Sequence, residues 1–182
     1  MVCSHSERVD RVISPLRPYR TRMDDKVAGW VRVGMVVTLA VPQLIIGLWA
    51  SLAPHHWYEN FPGVHPHLIA AEPPYNQHLA TDAGLGFLCT GVGLVAAALW
   101  GRRVGVYVAL ITYGAFAIPH VLYHALHPAD ALSGSEDVTS VLFLFIGVVL
   151  AAVFAWGASQ RPRISPDEVA SFVHSAGDPA SP

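Results

Sequence analysis

Several histidines and one aspartate fall at spacings that could bind a metal ion. His120, His124 and His127 are spaced i, i+4 and i+7, which places them on a single face of a helix. His78 and Asp82 are also four residues apart. Imidazole nitrogens and carboxylate oxygens are suitable ligands for zinc, iron and copper, and helical bundles build metal sites from such pairs on facing helices. The spacing therefore indicates two ligand pairs on two helices.

The two pairs are predicted to lie at one depth in a membrane. Their helices are joined by a very short turn, residues 101–103, so they must be antiparallel neighbours. At about 1.5 Å per residue, both pairs reach a similar level near the outer boundary. Ionisable residues inside a membrane are costly and usually serve a site. We therefore predict a site for one transition metal (zinc, iron or copper) with the ligands His78, Asp82, His120 and His124.

Neighbouring polar side chains could support these ligands. Hydrogen bonds to the ligands, or an extra ligand, could come from Glu72, Tyr75, Tyr113 and Tyr123. A metal there would act on a membrane-soluble substrate, with haem as a further cofactor alternative, but the spacing identifies no catalytic residue. Two other functions stay open. One is a non-catalytic accessory subunit whose histidine cluster is a structural clasp between helices, and the other is transport of an ion or small molecule by an oligomer.

Long apolar segments must position these residues. Hydrophobic residues make up 53% of the 182 and charged residues 13%, and the mean hydropathy is +0.42, outside the range of ordinary soluble domains. A membrane-spanning helix needs about 20 apolar residues. Four segments fit, at about residues 30–53, 80–100, 104–126 and 138–157. The predicted fold class is all-α, a four-transmembrane-helix bundle within residues 27–157.

All eleven Lys and Arg residues lie on the same side of these segments. They fall in the N-terminal tail (residues 1–26), at the start of the first segment, between the second and third segments, and in the C-terminal tail (158–182). Positively charged connections stay in the cytoplasm. The chain is therefore predicted to be a multi-pass protein of the cell (plasma) membrane with both termini in the cytoplasm.

The charge pattern also limits the partners. The predicted outer side carries six carboxylates and no Lys or Arg: Glu59, Glu72, Asp82, Asp130, Glu136 and Asp137. Phosphate binding needs Lys and Arg, so nucleic acid is excluded as a partner there. The lipid bilayer is the predicted partner, with a second copy or a membrane-complex subunit left open.

Two further features bear on the shape of the bundle. The first outer connection, residues 54–83, is long and rich in aromatic residues and histidine, and we expect it to fold over the bundle mouth. Pro42 should kink the first helix, and Gln43 beside it is expected to hydrogen-bond to a neighbouring helix. Cys3 and Cys89 fall at different levels, so no disulfide is expected.

Three motifs carry a resemblance to a known group. They are Phe61-Pro62-Gly63, the run from Pro74 to Leu79 followed by Asp82 and Gly84, and Pro119-His120 with Tyr123-His124. Over about residues 27–157 the chain resembles small, uncharacterised actinobacterial four-helix membrane proteins that are broadly similar to the DoxX-like superfamily. That group often has Glu at the position of Gln77, so one potential acid is missing here. The resemblance implies a four-helix architecture and singles out the four predicted ligands, but it supplies no activity.

Overall fold

Within residues 26–160, four helices are long and apolar enough to cross a membrane. The computed structural model describes residues 26–160, so the predicted tails 1–26 and 158–182 lie outside the described residues except at Lys26 and residues 158–160. Span 1, Gly29–Leu52, consists of α1 (Gly29–Met35), a π-helical segment (Val36–Ala40) and α2 (Val41–Leu52). A short helix, α3, covers Pro54–Asn60. Spans 2, 3 and 4 are α4 (Gln77–Trp100), α5 (Arg103–Leu126) and α6 (Gly134–Ser159).

This arrangement confirms the predicted all-α, four-span fold. The observed bounds agree with the predicted ones to within a few residues, the largest difference being the earlier start of span 4 at Gly134. That start is set by a capping box, in which the Ser133 side chain accepts from the backbone N–H of Glu136 and the Glu136 carboxylate accepts from the Ser133 N–H. The departure from α geometry in span 1 lies directly before Pro42, which has no backbone N–H to donate.

Spans 1 and 2 form the most closely packed pair, because glycines line their contact. A side chain at Gly47 would meet the backbone N of Leu88 at 2.6 Å and the backbone O of Gly84 at 2.8 Å. A side chain at Gly84 would meet the backbone of Ala50 and Ser51. Small residues of this kind let two membrane helices approach closely. The other extensive pair is spans 3 and 4, so the bundle is built from two helical hairpins.

Arginines close both hairpins at one end. Arg32, in span 1, donates from Nε to the carbonyl oxygen of Ala98 (2.5 Å) near the C-terminus of span 2. Arg103, in span 3, donates from Nη1 and Nη2 to the carbonyl oxygens of Ser159 (3.0 Å) and Gln160 (3.1 Å), which end span 4. The last carbonyls of a helix have no intrahelical donor, and cations are favoured there. We call this the basic end, because it holds every Lys and Arg of residues 26–160: Lys26, Arg32, Arg102 and Arg103.

The main core fills the half of the bundle next to the basic end. Its largest fully buried side chains come from spans 1, 2 and 3: Val31, Met35, Leu39, Leu94 and Val106. Towards the opposite end, α2 packs on span 2 and α3 but has no extensive contact with spans 3 and 4 in residues 26–160. Only 11% of the apolar window of span 4 is buried, so most of that helix faces lipid.

The end opposite the basic end carries the connection from α3 to span 2 and the connection from span 3 to span 4, and we call it the histidine end. Here Trp57 of α3 is buried in a second, smaller cluster with Ala50 of span 1 and Ala80 of span 2. Trp49 and Phe61 pack around them. The first connection therefore lies over the ends of spans 1 and 2.

Candidate functional site

His120 and His124 lie on the face of span 3 that turns towards the bundle interior. The buried positions of this helix are Val106, Leu110, Tyr113 and Ala117, at steps of three or four residues. The same steps continued lead to His120 and then His124, which are both half-buried. Both histidines thus occupy the inward face at the point where the main core ends.

Aromatic contacts fix the two rings. The His120 ring stacks on Phe116, with 5.1 Å between ring centroids. The rings of His120 and His124 are perpendicular to each other, with centroids 4.8 Å apart. Tyr123 contacts the other side of His124 at 5.6 Å and stacks on His127 at 4.6 Å. Phe116 and Tyr123 therefore flank two imidazoles that contact each other.

His78 and Asp82 form a pair of their own in span 2. The Nε2 atom of His78 lies 3.3 Å from Oδ2 of Asp82, and their side chains are 83% and 55% exposed. The buried stripe of this helix includes Ala80 and Gly84. A residue two positions away on a helix is turned by about 200°, so both members of the pair point away from that stripe. Within residues 26–160, the polar contact of His78 is with Asp82.

The two pairs nevertheless lie at the same depth. Phe87 of span 2 and Phe116 of span 3 meet edge to face, with 5.3 Å between ring centroids. Counting outward from this contact at about 1.5 Å per residue places Asp82 about 7.5 Å and His120 about 6 Å beyond it. The same count gives about 13.5 Å for His78 and about 12 Å for His124. The pairs are level but face different directions.

The four predicted ligands are consequently brought together as two pairs rather than as one cluster. Within residues 26–160, no three His, Cys, Asp or Glu side chains converge on a point where they could hold a metal ion. A joint metal site of His78, Asp82, His120 and His124 stays a prediction, and it requires span 2 to turn its pair towards span 3.

Span 4 supplies groups opposite the histidines that the sequence reading did not select. The Tyr113 hydroxyl occupies the space that a side chain at Gly147 would need. His120 lies seven residues outward of Tyr113, and Ser140 lies seven residues outward of Gly147. Eleven residues outward from the same contact are His124 on span 3 and Glu136 on span 4, so each histidine has a polar residue of span 4 at its level. The signal for this pairing is the register of the hairpin, which the Tyr113–Gly147 contact and the hydrogen bond from the Tyr107 hydroxyl to the carbonyl oxygen of Ala155 fix.

Gln43 lies deep in the bundle without the partner that we expected. It is the buried polar residue of the described chain, 8% exposed, on the inward face of span 1. Its Oε1 atom is buried and has no hydrogen-bond donor among residues 26–160. The predicted bond to a neighbouring helix is therefore not made through this oxygen, which leaves a polar acceptor near the middle of the membrane.

The other predicted supporting residues are spread over the histidine end. Tyr75 packs edge to face on His55 (4.9 Å) and contacts Tyr58 (5.0 Å), and its hydroxyl is buried without a partner in residues 26–160. Glu72 is exposed. Tyr113 is buried beside span 4, and of the four only Tyr123 touches a predicted ligand ring.

The histidines of the first connection are engaged locally. His55 Nδ1 lies 3.2 Å from Glu59 Oε2 within α3. His56 Nδ1 accepts a hydrogen bond from the indole N–H of Trp49 at 2.9 Å. The rings of His65 and His67 stack on each other at 4.3 Å. His55 and His56 are thus engaged by α3 and span 1, whereas His65 lies within electrostatic range of Glu136 of span 4.

Comparisons with protein-family models, with curated proteins and with solved structures found no match for this chain.

Proposed function

We propose that this integral membrane protein binds a transition-metal ion at its histidine end through His120 and His124. The observation that carries the proposal is the place of this pair. Two imidazoles at i, i+4 spacing lie on the inward face of span 3, directly beyond the last buried core residue, Ala117. Neutral imidazole is a good ligand for zinc, iron and copper, and two ligands on one helix face can share one ion.

Two histidines leave coordination positions for other groups. Asp82 and His78 are level with them and would complete the predicted set if span 2 turned this pair towards span 3. Glu136, at the level of His124, is the carboxylate on the facing helix, although one of its oxygens already accepts from Ser133. A bound metal would supply Lewis acidity to a membrane-soluble substrate that enters between the hairpins.

One observation counts against the helix clasp. A clasp between spans 2 and 3 needs hydrogen bonds between the two pairs. The polar contact of His78 and Asp82 in the described chain lies within one helix, and His120 and His124 contact aromatic rings of their own helix. The resemblance to DoxX-like proteins stays a prediction beside this proposal.

We further propose that the protein resides in the plasma membrane with its basic end in the cytoplasm. Lys26, Arg32, Arg102 and Arg103 share that end, while the histidine end has no Lys or Arg in residues 26–160. A reporter enzyme that is active only in the cytoplasm, fused after Pro182, is expected to be active. Activity of a periplasm-dependent reporter at the same position would reverse the assignment and place the histidines in the cytoplasm.

Elemental analysis of the detergent-purified chain tests the metal proposal. The wild type is expected to carry about one metal ion per chain, and a His120→Ala/His124→Ala variant less than about a tenth of that. The matched control is His55→Ala/His56→Ala, which removes two histidines of α3 whose contacts are with Glu59, Tyr75 and Trp49, and it should keep the metal. A wild type without metal after growth and purification in zinc, iron or copper would overturn the proposal.

A second pair of variants tests the role of span 2. If His78 and Asp82 complete the site, His78→Ala/Asp82→Asn should weaken metal binding by about 10- to 100-fold, the usual effect of removing groups around a metal site. If Glu136 does so instead, Glu136→Gln should have that effect and the span 2 variant should not.

A further inference from the structure

A groove lies between spans 2 and 3 in the half of the bundle next to the basic end. Its volume is about 320 Å³, and small side chains line it, among them Gly93, Ala96, Gly105 and Ala109. Trp100 and Val104 lie at its basic-end limit, and each is 66% exposed. The groove thus opens on the side of the bundle that faces lipid, well away from His120 and His124.

The walls of this groove offer almost nothing to a polar ligand. Two hydroxyls line it, and both are already bonded within their own helices. Thr90 donates to the carbonyl oxygen of Gly86 and Thr112 to that of Val108, each at 2.9 Å. The remaining lining is alkyl and aromatic apart from the thiol of Cys89. The part of a ligand that enters the groove is therefore hydrocarbon.

Two positively charged residues follow the basic-end limit of the groove in the fold. The turn after Trp100 continues through Gly101 to Arg102, whose backbone bridges to that of Lys26. A hydrogen bond of 2.9 Å from the N–H of Val27 to the carbonyl oxygen of Gly101 holds the two segments together. The side chains of Lys26 and Arg102 are exposed, and they lie at the same end of the bundle as Trp100 and Val104, which line the groove there.

We infer that this groove is a binding site for an anionic phospholipid, with one acyl chain in the groove and the phosphate group at Lys26 and Arg102. The volume lies at the lower end of the range of ligand pockets, which suits one chain rather than a bulky ring system. Basic residues next to a span attract anionic head groups, and tryptophan favours the head-group level. The site is independent of the proposed metal site at the other end.

Lipid retention by the full chain tests this inference. The protein is placed in nanodiscs of equal parts phosphatidylglycerol and phosphatidylcholine, extracted into mild detergent, and weighed by native mass spectrometry. The wild type is expected to keep about one phosphatidylglycerol per chain. Gly93→Leu fills the groove, and because a Cβ at Gly93 meets nothing within 4 Å, the change leaves the packing of the chain intact. This variant should lose the lipid.

Two comparisons make the result specific. Gly86→Leu is the matched control, since Gly86 lies on the same helix, also has open space at its Cβ, and is outside the groove. It should retain the lipid. Lys26→Gln/Arg102→Gln should lower the preference for phosphatidylglycerol over phosphatidylcholine by at least tenfold, since each basic residue contributes about a fivefold effect.

Three outcomes would overturn the inference. Equal retention of both lipids by the wild type would remove the role of the cations. Full retention by Gly93→Leu would place the lipid elsewhere. A change of oligomeric mass in Gly93→Leu, without a change in bound lipid, would show that a second protein chain fills the groove.

Discussion

The basic end and the histidine end of this bundle are stabilised in different ways. At the basic end, arginines satisfy the last carbonyls of two spans and large apolar side chains are fully buried. In residues 26–160, four buried polar atoms have no hydrogen-bond partner. Three of them lie at or towards the histidine end: Gln43 Oε1, Trp57 Nε1 and Tyr75 OH. The fourth, Arg103 Nε, belongs to a guanidinium whose other nitrogens are bonded.

This difference teaches where stability and chemistry lie in the chain. Buried polar atoms without partners are costly and persist mainly where a ligand, a water or a function uses them. The basic end therefore supports the fold, whereas the buried polar atoms that lack a partner in residues 26–160 lie mostly towards the histidine end. Four substitutions, each compared with a second variant by unfolding of the detergent-solubilised chain, test this difference between the two ends.

The largest effect is expected from the core at the basic end. Leu94 is fully buried, and Leu94→Ala should lower the free energy of unfolding by about 2–3 kcal/mol through lost packing. This is near the low end of the range for soluble proteins, since the unfolded reference in a membrane is also apolar. Leu122→Ala, at a 54% exposed position of span 3 near the histidine end, should change it by less than about 0.5 kcal/mol. Equal losses of unfolding free energy at the two positions would contradict the proposed difference between the two ends.

The contact between spans 1 and 2 is the one place towards the histidine end where a large loss of stability is expected. A Cβ at Gly84 would lie 2.5 Å from the backbone N of Ser51, so Gly84→Ala should destabilise the chain by about 1–3 kcal/mol through overpacking. Gly86→Ala has open space and better helix propensity, and should be neutral or stabilising by up to about 1 kcal/mol. Equal stability of the two variants would contradict the close packing of spans 1 and 2 at Gly84.

Arginine capping predicts a smaller effect. Arg32→Gln removes the charged donor from the carbonyl oxygens of Ala98 and Leu99, and a partly exposed site of this kind should lose about 1–2 kcal/mol. Lys26→Gln, an exposed neighbour at the same end, should cost less than about 0.5 kcal/mol. Thermal unfolding followed by circular dichroism measures both, and a larger loss in the Lys26 variant would contradict the capping role.

The smallest effect is expected at the capping box of span 4. Ser133→Ala removes an exposed N-cap at the histidine end and should cost about 0.5–1 kcal/mol. Ser133→Asp retains a capping oxygen and should largely restore the midpoint. Failure of that rescue would mean that the start of span 4 is set by other contacts.

The spans could be predicted closely, but the faces of span 2 could not. Length, apolar content and the one-sided charges are enough to bound all four helices to within a few residues. In span 3 the inward stripe through Tyr113 and Ala117 leads directly to His120 and His124. Span 2 is apolar on every side, with Leu85, Val92 and Leu99 facing lipid, so its sequence does not mark the inward face. Which way the side chains of His78 and Asp82 face could therefore not be predicted, because it is set by contacts that the sequence does not show.

The helix α3 was missed for a related reason. Residues 54–60 contain two histidines and two aromatic residues, which read as part of an irregular loop. The available signal was Pro54, because proline is favoured at the first position of a helix. What fixes α3 is the burial of Trp57 against Ala50 and Ala80, two residues that come from different spans.

The two arginine caps also link the biogenesis of the protein to its final structure. Each cap joins the first helix of a hairpin to the end of the second, so each hairpin has its own hydrogen bonds between its two helices. Each hairpin could therefore enter the bilayer as a unit. The same residues contribute to the charge bias that orients the chain. Relocating Arg32 or Arg103 to invert the protein in the membrane would therefore also remove the hydrogen-bond donor from a helix end.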